Sequence, residues 1–201
     1  MVHPQIGWTI RQLHEHLLNA TRYVAITGAV DVGKSRLADQ LATRCDARRI
    51  EAPRRQCLPP AVDLSGPTLP REIEWLQRVE PLLRRAGWQD PSRMAVSDFW
   101  LEQALAYGSV ALANRERRAR SKHDRADAWS DLLAAWSRTR LQAVEPQLLV
   151  LLDPPSHAQD PVRQSLVLRC DQPGLGPVLR LTNADPQLNF AEAAAAIAAM
   201  R

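Results

Sequence analysis

An α/β fold, a five-stranded parallel sheet with helices on both faces, is predicted from three observations. A compact β-branched run, "YVAIT" (23 to 27), leads through a glycine-bounded loop into an amphipathic segment, the opening of a βαβ unit. Five short apolar runs alternate with helical segments along the chain. Two of these runs, "YVAIT" and "QLLVLLD" (147 to 153), show no polar alternation, as expected of strands covered on both sides.

Each element follows from its local pattern. Residues 9 to 20 place Ile10, Leu13, Leu17 and Leu18 at helical spacing, which predicts a short helix packed on the domain. After the first strand and its loop, residues 34 to 45 read as a helix with Leu37 and Leu41 on one side. "ARRIEAP" (47 to 53) is a short second strand ended by Pro53. Residues 54 to 70 contain Pro59, Pro60, Pro67 and Pro70 and are expected to form a loop over the site. Residues 71 to 87 present Ile73, Leu76, Val79, Leu82 and Leu83 on one face, with a kink expected at Pro81. "RMAVSD" (93 to 98) is a third strand that ends in an acid, and helices follow over 99 to 120 and 125 to 144. The fourth and fifth strands are 147 to 153 and "PVLRLT" (177 to 182), and an alanine-rich helix (188 to 200) closes the chain.

With 201 residues and 45% apolar content, the chain is long enough to bury a core without disulfide or metal, and a single domain over 1 to 201 is expected. Cys45, Cys57 and Cys170 are odd in number and form no CxxC pair, so neither a zinc site nor a disulfide framework is indicated. No signal-like N-terminus and no apolar run of membrane-spanning length are present, and a cytoplasmic protein is expected. The net charge of +4 comes mostly from arginine, since Lys34 and Lys122 are the only lysines.

The chemistry concentrates in "AITGAVDVGKS" (25 to 35). Gly28, Gly33, Lys34 and Ser35 fit the phosphate-loop pattern GxxxxGK[ST], which makes the predicted fold that of a P-loop NTPase. Glycines let consecutive backbone N–H groups turn inward around phosphate oxygens, so Gly28, Ala29, Asp31, Val32, Gly33, Lys34, Ser35 and Arg36 are the nucleotide-binding residues. Lys34 reaches the outer phosphates, and the Ser35 hydroxyl holds Mg2+. A carboxylate at position 31 is tolerable because the grip is made by backbone; its side chain is free to turn outward.

The loop and two further segments, "REIEWLQRVEPLL" and "AVSDFWLEQALAYG", together resemble the deoxynucleoside kinases over roughly residues 8 to 153. The resemblance implies transfer of the γ-phosphoryl of ATP to a nucleoside 5′-hydroxyl with Mg2+. It implies Glu51 as catalytic base, Asp98 as the acid after the third strand with a catalytic or metal role, and a homodimer built on helices such as 71 to 86 and 100 to 119. Two places depart from the family. Phe99 stands where an arginine normally follows the acid, and the lid region (154 to 176) is short, proline-broken and lacks an RxR pair, leaving Arg163 and Arg169 as the lid arginines. A catalytically impaired pseudokinase that binds ATP or serves as a structural partner is therefore the rival expectation. The GxxDxGK[ST] pattern also resembles loops of RNA 5′-polynucleotide kinases, a third reading.

Other signals point to ordinary structure. Glu51 stands among Arg48, Arg49, Arg54 and Arg55, which by themselves read as a solvated basic stretch. The same holds for "RERRARSKHDR" (115 to 125), so nucleic acid is not expected as a partner. "DQPG" (171 to 174) and "TNAD" (182 to 185) mimic GTPase motifs at the wrong spacing and read as turns.

Overall fold

The computed structural model describes residues 22–53, 69–86, 93–116, 123–172 and 175–200. The expected helix at 9 to 20 and nearly all of the proline-rich segment 54 to 70 lie outside them, as does most of the basic stretch 115 to 125.

Five parallel strands form one sheet in the order β2-β3-β1-β4-β5: β1 Tyr23–Gly28, β2 Arg48–Ile50, β3 Ala95–Ser97, β4 Leu148–Leu152 and β5 Val178–Leu181. The helices are α1 Lys34–Arg44, α2 Leu69–Arg85, α3 Glu102–Glu116, α4 His123–Gln142, α5 Pro161–Cys170 and α6 Pro186–Ala199. Strand alternation divides the core in two. Tyr23 and Ala25 of β1 join Leu149 and Leu151 of β4 under α2 to α5, while Val24, Ile26, Leu148 and Val150 pack with Leu37 and Leu41 of α1 and Ala193 and Ile197 of α6. Helices thus cover both faces, as the apolar runs require.

Three local expectations are corrected. Helix α2 begins at Leu69 rather than 71, because Pro70 falls within the first turn, where its missing N–H costs nothing. Helix α6 likewise starts at Pro186, capped by Asp185, whose carboxylate accepts from the Gln187 N–H at 2.8 Å. The region after β4 is not merely a broken loop: Asp160 caps Pro161 at 2.8 Å from the Val162 N–H and starts the ten-residue α5, which packs on α3.

Register brings four strand ends to one end of the sheet. Ile50 pairs with Ser97, so Glu51 and Asp98 leave their strands side by side, and Gly28 pairs with Leu152 where the phosphate loop begins. β1 lies between β3 and β4, the point where the strand order reverses and where parallel sheets open a crevice.

Candidate nucleotide and phosphoryl-transfer site

The loop from Gly28 to Ser35 turns through three positive-φ residues, Gly28, Asp31 and Gly33. Gly28 has φ +154, and a Cβ there would lie 2.8 Å from both the Leu152 carbonyl oxygen and Val32 Cγ2. Gly33 has φ +90 and caps α1, and among the described residues nothing lies within 4 Å of where a Cβ would stand, which leaves space before the helix N-terminus. Asp31 is also left-handed, with φ 61, a conformation aspartate tolerates, and it is exposed. No acid occupies the first turn of α1, and its N-terminal N–H groups carry the positive end of the helix. The Lys34 amine donates to the Ala29 carbonyl, folded over its own loop. Gln103 Nε2 on α3 donates to the Gly28 carbonyl at 3.1 Å and anchors the loop's first residue.

Asp98 is the hub beside this loop. Its Oδ2 accepts the Ser35 hydroxyl at 2.6 Å and Arg49 Nη2 at 2.9 Å, and its Oδ1 accepts the Ala52 N–H at 3.1 Å. The carboxylate is only 8% exposed, so these three donors replace most of its hydration. Glu51, one residue before Ala52, is exposed at the same end of the sheet. Phe99 departs in direction as well as in type: it is 1% exposed and meets Trp75 edge-on at 5.9 Å, in the core. Arg49, read from sequence as a surface residue, instead reaches Asp98 from β2.

A cavity of about 290 Å³ adjoins the loop. Asp31, Val32 and Gly33 form one wall, Arg36, Leu37 and Gln40 of α1 another, and Leu152, Pro154 and Ser156 a third; Asn183, Ala184, Pro186 and Asn189 close it from the β5–α6 connection. The "TNAD" turn thus borders this cavity, which sequence alone did not indicate. The two arginines expected in the lid are held apart. Arg163 pairs with the Asp153 carboxylate, which also accepts Arg180 Nε at 2.5 Å, while Arg169 lies with the buried Glu102 on the α3 side and burial lowers its pKa.

The two positive-φ glycines of the loop, the space before Gly33 and the Ser35–Asp98 pair fit a nucleotide phosphate chain with Mg2+. The adjoining cavity has a volume suited to a nucleoside.

The sheet order, loop and flanking helices define the fold of the P-loop nucleoside and nucleotide kinases. Within it the chain has a deoxynucleoside-kinase-like fold. It superposes on deoxyadenosine kinase from M. mycoides with bound dATP at a TM-score of 0.65 and 11% identity, covering 88% of this chain and 99% of that one. Thymidylate kinase from Ehrlichia chaffeensis gives a TM-score of 0.58 at 12% identity, over 89% and 98% of the two chains. A NadR protein in complex with NAD and AMP-PNP gives 0.65 at 14% identity, over 90% of this chain and 49% of that one. No family model matches the sequence, and no curated protein matches it.

Proposed function

We propose that this protein is an ATP-dependent kinase of a small hydroxyl acceptor, with a nucleoside 5′-hydroxyl as the substrate class. The observation that carries the reading is the Ser35–Asp98 hydrogen bond at the mouth of a glycine-built phosphate loop, with Glu51 exposed next to it. Backbone N–H groups from Gly28 to Ser35 and the Lys34 amine hold the phosphates, and the cavity between α1 and the β5–α6 connection takes the donor's nucleoside. Ser35, with Asp98 behind it, would hold Mg2+, whose charge would offset that on the phosphoryl oxygens.

The two acids then have different tasks. Asp98 already accepts three hydrogen bonds and serves as the anchor that orients Ser35. Glu51 is exposed and serves as the base: it accepts the proton of the acceptor hydroxyl as that oxygen bonds to the γ-phosphorus and ADP departs.

The ion pair of Arg163 with Asp153, and the placement of Arg169 on the far side near the buried Glu102, favour the second reading, an ATP-binding pseudokinase, because a lid arginine is worth roughly 10³- to 10⁵-fold in such transfers. Incubation with labelled ATP and a panel of nucleosides separates the two. Phosphorylated product above that of a Lys34→Ala control supports the kinase. Calorimetric binding of ATP without product supports the pseudokinase, and an absence of both removes the nucleotide reading.

A further inference from the structure

Arg48 and Arg49 are consecutive on the edge strand β2 and therefore point to opposite faces. Arg48 Nη2 donates to the Ala86 carbonyl at 2.6 Å, beyond the end of α2. Arg49 turns to the other face and spans three elements. Nη2 donates to Asp98 Oδ2 at 2.9 Å, and Nη1 donates to the Ser35 carbonyl at 2.8 Å and to Asp39 Oδ1 at 2.5 Å. Its side chain is only 17% exposed, and Nε is buried without a hydrogen-bond partner among the described residues.

A purely structural ion pair at this edge needs only Asp39, which is 70% exposed and close enough by itself. Bringing the guanidinium under the loop to a second, largely buried carboxylate adds a desolvation cost that one more ion pair does little to offset. What the extra reach achieves is geometric. One planar group grips both the Ser35 backbone and the Asp98 carboxylate, the same two residues already joined by the Ser35 hydroxyl. Since Asp98 also holds the Ala52 N–H, the grip extends to the chain end that carries Glu51.

We propose that Arg49 is a positioning residue for the phosphoryl-transfer site, locking Asp98 onto Ser35 from the edge strand so that the metal-binding hydroxyl and Glu51 keep one fixed geometry. This rests on the nucleotide reading above. Residues that orient metal ligands in this way are typically worth about 10- to 100-fold in metal affinity or activity.

The test is calorimetric binding of a non-hydrolysable ATP analogue to the full chain across a Mg2+ titration, for wild type, Arg49→Ala, Arg49→Lys and Arg49→Gln. The expected result is a rise of about 10- to 100-fold in the Mg2+ concentration giving half-maximal binding in Arg49→Ala and Arg49→Gln. Arg49→Lys restores the charge but not the fork and should fall between. Binding of the analogue without Mg2+ should stay within about twofold, which a role confined to folding does not predict. A variant that fails to melt cooperatively is replaced in the comparison by the next, and Arg49→Lys retains the most of the native contacts. Wild type that binds no analogue overturns the nucleotide reading and this inference with it. Wild type that binds, with the Mg2+ midpoint unmoved in the folded variants, overturns this inference alone.

Discussion

The Ser35 hydroxyl donates to Asp98 Oδ2 at 2.6 Å across 63 residues of sequence, fastening the first turn of α1 to the loop that leaves β3. Replacing Asp98 by alanine removes the acceptor of three donors at once, and those from Arg49 and Ala52 are left in a part-buried site. Hydrogen bonds to a charged group are worth about 1.5 to 3 kcal/mol, and Arg49 keeps Asp39 as a partner, so a net loss of about 2 kcal/mol is expected. That lowers the melting temperature by roughly 4 to 8 °C. Mg2+-dependent binding of ATP should fall at least as far as in the Arg49 variants, and a variant that melts and binds like wild type would contradict the hub role of Asp98.

Gly28→Ala tests the cradle. At φ +154 the new methyl group is strained by backbone alone, and it meets the Leu152 carbonyl oxygen, which belongs to the paired strand and cannot swing away. A loss of at least about 2 kcal/mol is expected in thermal or denaturant melts. Relief by displacement of the loop should appear as weaker ATP binding in calorimetry, whereas an unchanged melt would mean that the loop does not approach β4 as described.

Much of this arrangement was legible in the sequence, for reasons that differ by residue. The phosphate loop is a local object: its glycines, lysine and serine lie within eight positions, and a buried strand and a helix flank it. Asp98 was legible because an acid at the end of an apolar strand must emerge at the end of the sheet. Arg49 was not, because a three-residue strand carries too little alternation to say which arginine faces inward. Helix α5 was hidden by Pro161, read as a breaker although Asp-Pro is also a helix start. Asn183 and Asn189 are separated from the loop by most of the chain, so their part in the cavity wall depends on how α6 packs against α1.

Cys170 should be chemically silent in the native protein. Burial, reinforced by the nearby Glu102 and Asp171 charges, pushes its thiol up to about 12. At pH 8 that leaves roughly one part in 10⁴ as the reactive thiolate, and the side chain at the end of α5 is enclosed as well. Mass-spectrometric mapping after brief alkylation should find Cys170 unmodified in the native protein and modified after denaturation. Native labelling at the denatured rate would show that α5 does not pack on α3.

Glu102 ties stability to pH. Burial in the core raises its pKa; Arg140, with Nη1 at 3.6 Å, and Arg169 oppose that shift without cancelling it, and Glu145 adds to it. The folded protein therefore holds this proton more tightly than the unfolded chain does. The resulting stability is fully present below the ordinary carboxyl value and is lost as pH rises through the raised folded value. Glu102→Gln removes that dependence, since the amide keeps the size and never ionises. Arg140 retains Glu145 at 3.1 Å, so the substitution leaves one of the two arginines paired. The melting temperature of the variant minus that of wild type should accordingly rise between pH 4 and pH 8. A difference that falls over the same range would mean that the ion pair with Arg140 and the nearby Arg169 charge outweigh burial, and that Glu102 is a net stabilising charge in this core.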